Sequence, residues 1–188
     1  MYNIEDIFLK TETLQKGHFQ YSSGRHGEEY MQCAKVLMYP EYAAQVAQLI
    51  ADAFKDDKVD IVLAPAMGGI LIGYEVARAL GAVSIFSERN KQTNKMELRR
   101  GFQLPKDARI IICEDVVTTG LSTREVIELV EASEAKLVGV CSMVDRAGGE
   151  IDFGVKFFAP YSKKMASYAP EECPLCKKDI PLVKPGSR

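Results

Sequence analysis

Residues 110–123, IIICEDVVTTGLST, open with three β-branched apolar residues and Cys113, then switch at once to Glu114 and Asp115. Such a run suits a strand buried on both faces, over Arg109–Cys113, that delivers two carboxylates to its end. Thr118, Thr119, Gly120, Ser122 and Thr123 follow as a small, hydroxyl-rich turn, and REVIELV (124–130) has apolar residues at helical spacing. The order is strand, phosphate-sized loop, helix, which offers N–H groups and hydroxyls to an anion at the positive end of a helix dipole. Carboxylates repel that anion, so the two acids suit vicinal hydroxyls, or Mg²⁺ through water. A phosphate beside a diol points to a ribose 5-phosphate. A nucleoside-triphosphate P-loop would need a lysine before the Ser/Thr, but Leu121 separates Gly120 from Ser122. A dinucleotide fingerprint would need three spaced glycines and a later acid. The plain alternative, a connecting loop with surface acids, does not account for acids, threonines and glycine meeting at one strand end.

Outward from this run, apolar segments alternate with helical patterns. Helices are expected over Ile4–Leu14 and Tyr39–Phe54, the latter with Pro40 in its first turn, and over Gly69–Leu80 and Leu121–Ser133. Strands are expected over Ile61–Ala64, Val83–Ser87, Arg109–Cys113 and Leu137–Val144. That alternation predicts an α/β fold, a mostly parallel sheet flanked by helices, with binding loops at the strand C-terminal ends. The first strand runs into APAMGGILIG (64–73), where Gly68 and Gly69 allow close backbone approach to a ligand; alone, this reads as a glycine turn before a helix. ERNKQTNKMELRR (88–100) lacks a steady period and carries Arg89, Lys91, Lys95, Arg99 and Arg100, which alone reads as a solvated basic turn.

With 188 residues, 47% of them hydrophobic and 27% charged, the chain can build one full α/β core. A net charge of −2 and a pI near 5.8 give no general attraction to nucleic acid or to a membrane surface. No apolar stretch reaches about 18 residues and the N-terminus is acidic and amphipathic, so a cytoplasmic location is expected. Cys113 and Cys141 fall in strands, as small hydrophobes. Cys173 and Cys176 form CPLC, half of a zinc-ribbon pattern with no second pair; His18 and His26 stand at the far end of the sequence. A tight turn with two free thiols is the expectation there, and no metal is assigned to the protein's own side chains; a zinc site, within a chain or between subunits, is the alternative.

At EDVVTTGLST the chain resembles the phosphoribosyl-pyrophosphate (PRPP) motif of type I phosphoribosyltransferases. GHFQYSSGRHGEEYMQC (17–33) is similar to the hood segment of the orotate phosphoribosyltransferases, with Phe19, Ser23, Gly24 and Tyr30 at the matching places. VDRAGG (144–149) resembles their Asp-Arg step, and MELRRGF (96–102) lies between, so the likeness spans nearly the whole chain, closest to the compact branch of the family. Ser22 stands where many members carry lysine.

The resemblance implies one domain over 1–188, with a hood from roughly 1–38 plus late segments, a core over roughly 40–160 and a CPLC tail. It implies transfer of 5-phosphoribosyl from PRPP to orotate, giving orotidine 5′-monophosphate and pyrophosphate. PRPP would be held by Glu114, Asp115, Val116, Val117, Thr118, Thr119, Gly120, Leu121 and Ser122, by Met67, Gly68 and Gly69 of the pyrophosphate loop, and by Arg89. Lys95, Arg89 and Asp115 would be catalytic, with Lys91, Arg99 and Arg100 secondary members of a lid. Thr118 and Arg146 would meet orotate; Arg25 and His26 of the hood segment read equally as contacts to base or phosphate and as exposed polar residues, and neither is a first choice. Mg²⁺ would come with PRPP, and a homodimer would share the lid between subunits. A phosphoribosyltransferase for a purine or other base, and a non-catalytic PRPP-sensing regulator, are the alternatives. Regulators of that kind carry a nucleic-acid-binding domain, for which the chain has no spare length.

Overall fold

The computed structural model describes residues 3–21 and 23–185, so Ser22 lies outside the described residues. Helix α1 (Ile4–Lys10) starts at Asn3, whose side chain accepts the Glu5 N–H at 3.0 Å, and buries Ile7 and Phe8. It stops at Lys10, short of the expected Leu14, because Leu14 is taken into strand β1 (Leu14–Gln20). Strand β1 pairs antiparallel with β2 (His26–Met31) in a separate two-stranded sheet, with a register shift between Lys16 and Phe19. Then come α2 (Ala34–Leu37) and α3 (Pro40–Phe54), with the proline at the first helical position.

The main sheet is built from β3 (Ile61–Pro65), β4 (Val83–Arg89), β5 (Met96–Leu98), β6 (Arg109–Val117), β7 (Lys136–Asp145), β8 (Phe157–Phe158) and β9 (Tyr161–Ser162). Its order is β5-β4-β3-β6-β7-β8, with β9 also on β7, and only the β4–β5 pair is antiparallel. Helices α4 (Gly69–Leu80) and α5 (Leu121–Glu131) are the crossovers. Alternation along each strand splits the core in two. Val62, Ile111, Cys113, Cys141 and Met143 face α3 and α4, while Leu63, Ile110, Ile112 and Val140 face α5. The isoleucines at 110, 111 and 112 are wholly buried, each contributing roughly 1.5–3 kcal/mol.

Two expectations need correcting. The strand expected to end at Cys113 runs to Val117 and stays paired with β7 through Val117 and Asp145, so Glu114 and Asp115 are strand residues. Backbone pairing outlasts the apolar run because β7 remains alongside. The segment 88–100 is not wholly irregular: β4 reaches Arg89, and β5 returns against it through Arg89–Met96, Glu88–Glu97 and Ser87–Leu98 pairs. The parallel strands β3, β4, β6 and β7 share one C-terminal edge, where chain leaves the sheet for loops.

Candidate functional site

At that edge, Glu114 is 7% exposed and lines a small cavity of about 190 Å³ with Val116, Val117 and the loop from Thr118 to Thr123. Burial, reinforced by the neighbouring Asp115 charge, pushes the Glu114 carboxyl up from 4.5 to about 8. Burial also raises Asp115, against the hydrogen bond that its Oδ1 accepts from the Val116 N–H at 2.9 Å. Both carboxyls lack a cationic partner among the described residues. A buried and a half-buried acid, both unpaired at a loop edge, are poised for ligand donors or a cation that would favour their ionised form.

Beyond them, Gly120 takes φ +75° as the residue before α5, and a Cβ there would meet the Phe153 ring at 2.9 Å. Thr118, Thr119 and Leu121 are exposed, Ser122 is half-buried, and the first-turn N–H groups of the 11-residue α5 open beside them. From β3, the chain turns through Ala66, Met67 and Gly68, with a cis Ala66–Met67 peptide and Met67 85% exposed. A Cβ on Gly68 would lie 2.5 Å from Asp115 Oδ2. Only glycine lets this loop come so close to the carboxylate, and the two expected PRPP segments are thereby brought together.

A larger cleft of about 450 Å³ adjoins the loop, lined by Tyr21, Ser23 and Arg25 of the β1–β2 hairpin, Thr118 and Thr119, Arg146, and Met165 and Ser167 of the late segment. Arg146 enters from the end of β7. Its own N–H donates to the Val117 carbonyl at 2.9 Å, and buried Asp145 fixes the turn by accepting from Ala147 N–H (2.8 Å), Gly149 N–H (2.6 Å) and Ser162 Oγ–H (2.7 Å). The guanidinium lies 4.9 Å from the Tyr21 ring centre, and its buried Nε has no hydrogen-bond partner. A buried donor of that kind is costly unless a ligand completes it. Arg25 crosses the cleft mouth, donating to Ser167 Oγ (3.0 Å) and the Ser167 carbonyl (2.7 Å).

Of the basic residues at 88–100, Arg89 is held two-pronged by Glu125 of α5 and also donates to the Asn94 carbonyl at 2.6 Å. Arg100 is paired with Glu88 and Arg99 with Glu97, whereas Lys91 and Lys95 have no ion pair among the described residues. Lys95 is thus available to an incoming anion, while Arg89 has a competitor carboxylate.

Tyr21, Ser23, Arg25, Met165 and Ser167 of the cleft were not assigned from the sequence. Tyr21 both packs and lines the cleft, its hydroxyl donating to the Glu29 carbonyl at 2.7 Å. His26 lies away from the cleft, beside His18. Another hollow of about 620 Å³, lined by Lys16, Glu28, Glu29, Lys163 and Lys178 among others, contains none of the assigned residues.

The acid pair leaves a signature in stability. Between 4.5 and about 8 the folded chain keeps a proton on Glu114 that the unfolded chain has lost, so its contribution is full below that window and is lost as pH rises through it. Thermal melts of the ligand-free protein across that range should show Glu114→Gln gaining on the parent as pH rises. Parallel curves would refute the buried, protonated Glu114.

A family model described as "Phosphoribosyl transferase domain" matches residues 34–171. A protein of Caldanaerobacter subterraneus subsp. tengcongensis named orotate phosphoribosyltransferase is 50% identical, with 97% of this chain and 95% of that one covered. The protein of that name from Heliobacterium modesticaldum is 48% identical, with 97% and 96% covered. Among solved structures, the orotate phosphoribosyltransferase of Aeropyrum pernix superposes with a TM-score of 0.66 over 97% of this chain and 92% of that one, at 20% identity.

Proposed function

This chain belongs to the phosphoribosyltransferase family, and on that premise we propose that the acid pair, the 117–122 loop and the Met67–Gly69 turn hold PRPP while Arg146 and Thr118 receive the base. The activity is that of its orotate phosphoribosyltransferase relatives: PRPP and orotate give orotidine 5′-monophosphate and pyrophosphate, a step of pyrimidine (UMP) biosynthesis. The observation that carries the assignment of residues is the shared wall. Thr118 and Thr119 line both the loop cavity and the cleft containing Arg146, so a ribose phosphate in one and an anionic base in the other would be neighbours.

Displacement at the anomeric carbon develops positive charge on the sugar and negative charge on the departing pyrophosphate. Asp115 and Glu114 would accept from the ribose hydroxyls and hold the sugar in place, and the loop N–H groups would fix its 5-phosphate. The Met67–Gly69 backbone, Arg89 and Lys95 would meet the pyrophosphate as its charge grows. Orotate arrives as an anion, so its carboxylate suits Arg146, whose buried Nε lacks a partner, and no general base is required of the protein. Enzymes of this family use Mg²⁺ with PRPP; the carboxylates and hydroxyls at the loop form a hard oxygen donor set, and Glu114 and Asp115 would hold the ion through water. When bound, it supplies charge neutralisation at the pyrophosphate.

We read the whole chain as one domain, with the hairpin and late segment as its hood. We also infer a homodimer that shares the lid, for which exposed Leu71 and Tyr74 on α4 and Met38 and Tyr39 before α3 offer apolar surface. No helix among the described residues is long and apolar enough to cross a membrane, and the five free cysteines favour the cytoplasm.

The direct test follows orotate loss by ultraviolet absorbance with PRPP and Mg²⁺, with adenine, guanine, hypoxanthine, xanthine and uracil in parallel. Turnover with orotate alone is expected; preference for another base would remove the Arg146 assignment, and tight PRPP binding without turnover would favour a sensor. Within that assay, Lys95→Ala should lower kcat about 10–100-fold and change the PRPP KM by less than about threefold, since a lid cation acts on developing charge. A change confined to KM would make Lys95 a ground-state contact.

A further inference from the structure

His18 on β1 and His26 at the start of β2 turn their rings toward each other, His18 Nε2 lying 3.2 Å from His26 Nδ1. The C-terminal 3₁₀ turns, Pro170–Glu172 and Cys176–Lys178, carry Cys173 and Cys176 to the same point. Cys173 Sγ is 3.4 Å from His18 Nε2, and Cys176 Sγ is 3.7 Å from that nitrogen and 3.3 Å from His26 Nδ1. All four atoms lie within 4.8 Å of one another. His18, His26 and Cys173 are 2%, 4% and 0% exposed, and Cys176 closes the cluster at its rim.

These separations suit a common tetrahedral centre. With Zn–N near 2.0–2.1 Å and Zn–S near 2.3 Å, tetrahedral edges are about 3.4 Å for N–N and about 3.6 Å for N–S. Hydrogen bonding within the group explains it less well. The Ile180 carbonyl, 2.7 Å from His18 Nδ1, can only accept, so that nitrogen carries the proton and a neutral ring presents Nε2 as a bare lone pair. Three groups crowd this one acceptor, which takes one donor well. A cation would instead receive a lone pair from each of four ligands, and the Ile180 carbonyl is the outer partner that orients a ligating imidazole.

We infer that His18, His26, Cys173 and Cys176 form a structural Zn²⁺ site that fastens the C-terminal segment to the β1–β2 hairpin. Two imidazoles and two sulfurs in tetrahedral array select zinc over the oxygen-seeking cations, and the Cys-x₂-Cys spacing is that of structural zinc sites. Binding releases one proton from each thiol, leaving two thiolates that cancel the charge of the ion. The fastening has a purpose. Beyond Ser162 the segment contains no strand or helix longer than a 3₁₀ turn among the described residues, and Ile180, Leu182 and Val183 are exposed, so little apolar burial holds it. It clings by backbone bonds: His26 and Tyr168 exchange N–H donors (2.9 and 2.8 Å), and Val183 donates to the His18 carbonyl and accepts from the Gln20 N–H, both at 2.8 Å. The same segment supplies Met165 and Ser167 to the 450 Å³ cleft, whose opposite lip, formed by Tyr21, Ser23 and Arg25, belongs to the fastened hairpin. The ion would hold both lips at a fixed spacing without touching substrate.

The test is elemental analysis of the full chain, expressed without added zinc and purified without chelator, read alongside release of metal to a chromophoric chelator when the thiols are blocked with a mercurial. About one zinc per chain is expected. Stripped protein given Co²⁺ should develop the visible bands of tetrahedral cobalt and a thiolate-to-metal charge-transfer band; this needs no variant and no activity, so it stands or falls apart from the phosphoribosyl-transfer reading. Cys173→Ser should lower bound zinc at least about tenfold. Less than about a tenth of an equivalent of zinc, together with octahedral cobalt spectra, would overturn the site. A Cys173–Cys176 disulfide with no metal in freshly purified protein would do so as well.

Discussion

Asp115→Asn should cut kcat/KM for PRPP by about 10²–10³-fold while leaving a folded protein. The substitution conserves shape, so the Oδ1 contact to the Val116 N–H and the fit against Gly68 both survive. What goes is the negative charge. A neutral amide accepts hydrogen bonds from a ribose diol far less strongly than a carboxylate, and one face of it presents N–H groups to hydroxyls that also need to donate. The loss should be seen in PRPP affinity by calorimetry as well as in turnover, because the diol is present in the ground state. Circular dichroism and a thermal melt establish that the variant is folded; burial raises the carboxyl of Asp115, so the neutral amide should not lower Tm. Kinetics within about threefold of the parent would remove Asp115 from the PRPP site.

The second large effect belongs to Arg146. Arg146→Ala should raise the orotate KM by roughly a hundredfold, since a bidentate charged contact to a carboxylate is lost, while the PRPP KM moves by less than about threefold. The split is the test, because a general disturbance of the site would move both. Arg146→Lys should recover little: the position favours a planar fork, stacked 4.9 Å from the Tyr21 ring and anchored through the turn that Asp145 organises. Equal rises in both constants would show that the Arg146 side chain supports the site as a whole, through its packing on Tyr21, rather than meeting the base.

How far these sites were readable from residues alone varies with the physics of each segment. Helix α4 was expected over Gly69–Leu80 and is found there, and β3, β6, α5 and β7 were legible because buried runs and helical spacing dominate them. The acid pair, the threonine loop and Gly68 come to one edge because parallel strands end together. The hairpin was not legible. In β1 the register shifts between Lys16 and Phe19, and the alternation that marks a strand is broken at that place. Strand β5 is three residues long, too short for any period to register. Nor does sequence order say that His18 lies beside Cys173, 155 positions away. From sequence order alone CPLC reads as a tight turn with two thiols, with a zinc site as the alternative, and only the fold brings His18 and His26 beside it.

Thr118 and Thr119 belong to two compartments at once, and this constrains how the molecule can be altered. A change at either position acts on both subsites together, so a variant that tunes the choice of base from this wall risks harming the sugar phosphate pocket. Tyr21, Ser23, Met165 and Ser167 border the cleft alone. Selectivity is therefore most separable from phosphate affinity on the two lips formed by the hairpin and the late segment, and an engineered library aimed at a new acceptor base should randomise those four positions and leave the threonines fixed.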